Sequence, residues 1–195
     1  MDWGTELLEG KVVNLRVMVK EDLDFFVECH NDVTYYGEDG PIMAQMSKAE
    51  AEKRFENPPP LVTLTERGRF VIEKKDGKRI GFIAHYFVLP SKFMEIGYDM
   101  VPSERSKGYG TEAVQIMVDY LFLSKDVARI QAVTNVGNKA SQRVLEKAGF
   151  KKEGTLRKVG HVRGGPTDAY IYSILREEWK EPKILTKNPL KTFSS

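Results

Sequence analysis

The chain has 195 residues, 41% of them hydrophobic and 30% charged, the length and composition of one soluble domain that can bury a core. Its 30 basic and 28 acidic residues leave a net charge of +2, too balanced to point to nucleic acid as a partner. One cysteine, Cys29, excludes an internal disulfide and suits a reducing compartment; it is expected to be a small buried hydrophobe.

The opening MDWGTELLEG carries neither the basic start nor the apolar run of a signal peptide. No apolar run nears the ~20 residues of a membrane span, so the expected location is the cytoplasm, with no membrane partner. Residues 12–18 (VVNLRVM) alternate apolar and polar, the pattern of a first strand. Leu23, Phe26 and Val27 then fall at helical spacing within residues 21–29. Residues 31–42 read as a loop with Gly37, Gly40 and Pro41. A second helix starts near Met46, where Ser47 and Glu50 have capping-box spacing, and stops before the triple proline at 58–60.

From there the period changes to two. Residues 69–73 (RFVIE) and 79–89 (RIGFIAHYFVL) are joined by Lys75-Asp76-Gly77-Lys78, a hairpin signal, and residues 93–101 add a third strand to an antiparallel meander. A basic glycine loop follows at 105–111. In the next helix Ala113, Ile116, Met117, Tyr120 and Leu121 mark the buried face. Residues 129–134 (RIQAVT) form the next strand; a helical crossover from 93–101 makes that pair parallel. A helix over 138–147 ends at Gly149, and two strands, 153–161 and 169–175, flank the turn Arg163-Gly164-Gly165-Pro166. Residues 1–179 read as a single domain and 180–195 as an irregular, solvated tail.

The loop Arg105-Ser106-Lys107-Gly108-Tyr109-Gly110-Thr111 sits between a strand and a helix, where glycines let the backbone approach a ligand and free helix N–H groups face an anion. Three interpretations fit it: a tight turn, a dinucleotide fingerprint (Gly108-Tyr109-Gly110-Thr111-Glu112-Ala113), and an acyl-CoA loop. A dinucleotide turn follows its strand at once within a parallel βαβ unit, whereas here residues 102–107 intervene after antiparallel strands. A Walker-type loop fails because no Gly-Lys-Ser/Thr follows.

Arg105-Ser106-Lys107-Gly108-Tyr109-Gly110 matches the acyl-CoA signature of Gln or Arg, two free positions, Gly, one free position, then Gly or Ala. On this motif the chain resembles the GNAT acetyltransferase superfamily. A second motif, Asn135, Asn138, Ser141, Lys147 and Gly149-Phe150, resembles the ribosomal-protein N-terminal acetyltransferase (RimJ/RimL-like) branch. The resemblance spans residues 12–179, including the Arg176-Glu177-Glu178-Trp179 ending.

The resemblance implies an α+β (α/β) GNAT fold: a mixed, mostly antiparallel sheet splayed between two central parallel strands, flanked by helices. It implies acetyl-CoA as acetyl donor, with no metal. The pantetheine arm would lie in the splay against main chain near Met100 and Val101, and the pyrophosphate on N–H groups of the 105–111 loop, with Arg105 and Lys107 adding charge. It also implies an amine acceptor, either a protein N-terminus or a small amine, and pairing into homodimers. The alternative function is a sensor or scaffold of the same fold that binds acyl-CoA without turnover.

Many family members protonate the departing thiolate with a tyrosine whose position here is Leu145, which has no proton to give. The branch resemblance assigns that role to Ser141, and the spacing of Ser141, Val144, Leu145 and Ala148 on one helical face agrees with an inward aim. Asn138 is implied in pantetheine binding or helix capping, and Asn135 in a polar contact to cofactor or structure. Glu95 shares a strand face with Gly97 and Asp99; a carboxylate among apolar strand neighbours would have a raised pKa suited to a general base. His85 and His161 read as structural strand residues. The acceptor is expected against residues 31–42, with Tyr35, Tyr36, Glu38 and Asp39, and against the turn at 163–168.

Overall fold

The alternation read from residue 69 onward becomes the centre of one mixed sheet in the computed structural model, which describes residues 7–37, 40, 43–57, 64–88, 93–162 and 164–185. Strands β3 (Leu64–Lys74), β4 (Arg79–Val88) and β5 (Phe93–Met100) form the expected antiparallel meander. The β3–β4 turn depends on Gly77, whose φ of 82° lies in the left-handed region. β2 (Val13–Val17) extends the sheet antiparallel to β3, and β1 (Leu7–Glu9) lies outside it. β1 is three residues long, too short to show a period, and was not expected from the sequence.

A crossover through α3 (Tyr109–Ser124) leads from β5 to β6 (Arg129–Asn135), and this pair is parallel, as expected. β6 pairs antiparallel with β8 (Gly165–Leu175), and β8 with β7 (Lys151–Val162), giving the order β1-β2-β3-β4-β5-β6-β8-β7. β8 begins at Gly165, inside the segment expected to be a turn.

Helices cover both faces. The expected stripe of α3, Ala113, Ile116, Met117, Tyr120 and Leu121, is buried against Leu15, Ile72, Ile83, Ile96 and Ile130. α4 (Lys139–Ala148) adds Leu145 and Ala148 to the same core and ends at Gly149 (φ 105°), where Phe150 N–H donates to Leu145 O. On the opposite face, Val71 and Phe82 pack with Leu23 and Cys29 of α1 (Leu23–Asn31), Tyr35, Met46, and Ala51 of α2 (Lys48–Glu56). The Ser47 hydroxyl caps α2 by accepting the Glu50 N–H. Cys29 is buried, and burial pushes its thiol up to about 12, in keeping with a structural role. His85 is likewise buried, against the rings of Phe70 and Tyr120.

After Trp179 the chain is irregular as expected, but it is not solvated through 185. The Asp119 carboxylate of α3 accepts the Trp179 indole N–H and the backbone N–H groups of Lys183, Ile184 and Leu185, and Leu185 enters the core. The reason was invisible to a local reading: the acceptor lies 66 residues from Leu185. The triple proline at 58–60 falls outside the described residues.

Candidate active site

The parallel pairing of β5 with β6 is confined to Met94 with Ile130 and Glu95 with Gln131; beyond that point the strands separate. The amide of Val101 donates to Ile80 O, so the ladder turns the main chain of odd-numbered β5 residues toward β4. The main-chain groups of Tyr98 and Met100 therefore face the widening gap. Val101 was expected to line it, but its N–H is taken by Ile80 and its carbonyl by the Glu104 N–H. Of the two residues expected to line the gap, Met100 turns its N–H toward it, its carbonyl being held by Arg105 Nε, while Val101 faces β4.

At the wide end of the gap lies the glycine loop. Ser106 (φ 61°) and Gly108 (φ 88°) both turn through the left-handed region. The first helical hydrogen bond of α3 runs from Glu112 N–H to Gly108 O, which leaves Tyr109, Gly110 and Thr111 without intrahelical acceptors for their N–H groups. A Cβ on Gly108 would meet nothing within 4 Å, so glycine is required there for its backbone angle. A Cβ on Gly110 would sit 3.8 Å from Val144 of α4 and 3.9 Å from Met100.

The two basic side chains of the loop have other engagements. Arg105 donates from Nε to Met100 O (3.1 Å) and from its terminal nitrogen to Tyr35 O, tying the end of β5 to the loop after α1. Lys107 Nζ pairs with the Glu104 carboxylate at 2.9 Å, which also accepts from Lys78 at 2.8 Å. These two ammonium groups hold the Glu104 carboxyl down at about 2. Both residues were expected to add charge beside the pyrophosphate; in the structure Arg105 is held on two carbonyls and Lys107 on a carboxylate, while the loop itself presents main-chain N–H groups.

α4 starts beside the gap. The Asn138 side chain accepts the Ser141 N–H at 3.0 Å, a helix cap of the kind its sequence position allowed. Gln142 donates to the carbonyls of Asn135 (3.3 Å) and Val136 (2.9 Å), fixing the first turn of α4 to the end of β6. The Asn138 N–H donates to Asn135 O. Ser141 is half-buried, with its Oγ 3.0 Å from the hydroxyl of Tyr98. Burial raises the Tyr98 phenol well above its ordinary value. Tyr98 belongs to the core face of β5 with Met94, Ile96 and Met100, so its alternation marked it as core; only the fold sets its hydroxyl on Ser141. Leu145 is fully buried.

The other face of β5 carries Glu95, Gly97 and Asp99. Glu95 does not have the apolar neighbours expected of it: Tyr86 donates to Oε1 and Gln131 to Oε2, each at 2.6 Å. Gly97 is exposed, and a Cβ there would meet nothing within 4 Å. Asp99 accepts a hydrogen bond from the hydroxyl of Tyr35, and burial pushes its carboxyl up to about 6. Tyr35 is buried, so it supports the site from below and does not offer its ring to a ligand; Tyr36 is half-buried with its ring edge-on to Tyr35. Glu38, Asp39 and Arg163 lie outside the described residues, among which no group of His, Cys, Asp and Glu has the arrangement of a metal site.

The gap and loop fit an extended arm ending in a pyrophosphate: main chain without a strand partner on one side, helix N–H groups at the mouth, a hydroxyl pair at the side. Comparison with known proteins agrees. Residues 13–151 match the acetyltransferase (GNAT) domain. An uncharacterized N-acetyltransferase of Bacillus subtilis (strain 168), YoaA, is 32% identical over 178 residues, covering 87% of this chain and 97% of that protein. Among solved structures, spermidine N-acetyltransferase from Vibrio cholerae, in complex with CoA and spermine, superposes with a TM-score of 0.74 at 21% identity, covering 87% of this chain and 98% of that one. RimL, a ribosomal L7/L12 α-N-protein acetyltransferase in complex with coenzyme A, superposes with a TM-score of 0.76 at 16% identity over 87% of this chain and 97% of that one.

Proposed function

The chain belongs to the GNAT acetyltransferase family and is an acetyl-CoA-dependent N-acetyltransferase, and from that premise we propose how its residues divide the work and which amines it takes. The acetyl donor lies along β5, its pyrophosphate on the N–H groups of Tyr109, Gly110 and Thr111, with Ser106, Lys107 and Gly108 shaping the loop and its pantetheine on the main chain of Tyr98 and Met100. The observation that carries this assignment is the loss of β5–β6 pairing after Glu95 and Gln131, directly below the free N-terminus of α3.

Transfer needs a neutral amine, a donor to the carbonyl oxygen as it gains charge, and a proton for the departing sulfur. A main-chain N–H in the gap serves as the oxygen donor. The Ser141 hydroxyl, oriented by Tyr98 and by the Asn138 cap, delivers the proton to sulfur. Asn135 and Asn138 hold the strand and helix ends that border the gap.

The acceptor is a primary amine. The Asn135-to-Phe150 motif and the likeness to RimL support a protein N-terminus; the likeness to spermidine N-acetyltransferase supports a small polyamine. The test is a panel of free-N-terminus peptides and small amines, spermidine included, incubated with acetyl-CoA and read by product mass and thiol release. A mass gain of one acetyl group on one class of amine identifies the acceptor. Coenzyme A binding without thiol release toward any amine would overturn the assignment of catalytic roles.

A further inference from the structure

The reaction still requires a group that takes a proton from the incoming ammonium, and the sequence offered Glu95. In the structure both oxygens of Glu95 are occupied, by Tyr86 from β4 and Gln131 from β6, and it stands at the last paired rung of β5 and β6. Its geometry is that of a clasp at the root of the gap. Asp99 is four residues further along the same face, roughly 13 Å nearer the cofactor loop at the ordinary strand rise. Between them Gly97 leaves an open floor.

We infer that Asp99 is the residue that deprotonates the acceptor amine, with Tyr35 as its positioning residue; this rests on the acetyl-transfer reading above. Asp99 lies on the α1–α2 face of β5, while its chain neighbour Tyr98 meets Ser141 on the α3–α4 face. Proton removal and proton delivery thus fall on opposite sides of one strand, beside the gap that holds the thioester. The groups that face Asp99 are Tyr35 and Tyr36 from the loop after α1, Cys29 of α1, Arg69 of β3 and Arg105 after β5. Burial sets its carboxyl near 6 against the opposing pull of the Tyr35 bond and of the Arg69 and Arg105 charges, so at neutral pH it is ionised and still basic enough to accept a proton.

The protons balance. Asp99 takes one proton from the ammonium. The freed lone pair forms the N–C bond, and the C–S electrons leave with sulfur. Sulfur takes the hydroxyl proton of Ser141, and the second nitrogen proton restores it. Asp99 then returns its proton to water, the one proton released per turnover.

The test compares wild type with Asp99→Asn, which keeps an acceptor for the Tyr35 hydroxyl and so spares the fold. Thiol release is followed from pH 5 to 9 with two nucleophiles, the amine identified by the panel (spermidine or a peptide) and hydroxylamine, which is already neutral at pH 7. The expected result is a loss of ~100-fold or more in kcat/KM for the amine and disappearance of the limb near pH 6, with hydroxylamine turnover and coenzyme A affinity within a few-fold of wild type. Asp99→Glu is expected to recover part of the amine rate. Retention of the amine rate and its acid limb overturns the inference; so does an equal loss for amine and hydroxylamine, the mark of a structural role. A wild-type protein that turns over neither nucleophile overturns the acetyl-transfer reading itself, and this assignment with it.

Discussion

The hydroxyl of Tyr98 on β5 stands 3.0 Å from Oγ of Ser141 in the first turn of α4, a contact between residues 43 apart in sequence that bridges the mouth of the β5–β6 gap. A serine hydroxyl is a weak acid alone, and a partner hydroxyl fixes its rotamer and can follow its proton. Ser141→Ala is expected to lower kcat by ~100-fold or more while coenzyme A affinity stays near wild type, since the proposed cofactor contacts are main-chain ones. Tyr98→Phe should give a smaller loss of kcat, again with little change in affinity. Steady-state kinetics beside calorimetric binding of coenzyme A reads both; unchanged turnover in Ser141→Ala would remove it from the chemistry.

Gly108→Val tests the cofactor loop from another side. A side chain at this position has open space, so a clash is not the mechanism; the cost is a β-branched residue held at φ 88°, about 1–2 kcal/mol of backbone strain. The loop relieves that strain by turning its N–H groups away from the anion. Coenzyme A binding is expected to weaken by ~10-fold or somewhat more, at the 1.4 kcal/mol per decade that links strain to affinity. Wild-type affinity in this variant would contradict the pyrophosphate assignment.

What could be read from the sequence was what is local in it. The Asp76-Gly77 turn, the Ser47 and Asn138 caps, the left-handed Gly108 and Gly149 and the buried stripe of α3 each depend on residues within a few positions of one another, and the meander and parallel crossover follow from their order. The side-chain chemistry of the site is not local. Arg105 reaches Tyr35 across 70 positions and Tyr35 reaches Asp99 across 64. Read alone, Arg105 and Lys107 are loop cations and Glu95 a carboxylate on a strand. Lys107 finds Glu104 three residues away, but the Tyr35 carbonyl and the Tyr86–Gln131 pair reach Arg105 and Glu95 only once the sheet has formed. Tyr98 was hidden because its alternation places it with Met94 and Ile96, and a phenol on a core face looks like packing until its hydroxyl is seen on Ser141.

Glu95 makes a separable prediction because clasp and base respond differently to substitution. Glu95→Gln keeps the size and part of the hydrogen bonding and should leave turnover within a few-fold of wild type. Glu95→Leu strands the half-buried Tyr86 hydroxyl and Gln131 amide, and is expected to cost about 1–3 kcal/mol of stability. Urea unfolding read beside kcat distinguishes them. A collapse of kcat in the stable Glu95→Gln variant would return the base role to this residue.

Asp119 carries the last prediction, because it accounts for the ordered start of the tail. Its carboxylate is 1% exposed and accepts four donors: the Trp179 indole at 2.8 Å and the N–H groups of Lys183, Ile184 and Leu185 at 3.1, 2.7 and 3.1 Å. Each of those donors loses water on docking and needs a replacement acceptor. Asp119→Ala leaves all four without one and opens a cavity beside Leu185 and Phe122. Four donors left without an acceptor, at about 1 kcal/mol or more each, give an expected loss of about 3–5 kcal/mol, with proteolysis appearing after Trp179 before the rest of the domain is cut. Asp119→Asn keeps one acceptor oxygen and should fall between. Because the N-terminus of α3, a helix of sixteen residues, meets the glycine loop well before Asp119, the variant separates two roles of one helix: coenzyme A affinity of the folded fraction is expected to stay near wild type while the tail is released. Limited proteolysis with and without coenzyme A, read by mass, checks this; a tail that stays protected in Asp119→Ala would show that Trp179 and Leu185 hold it by packing alone.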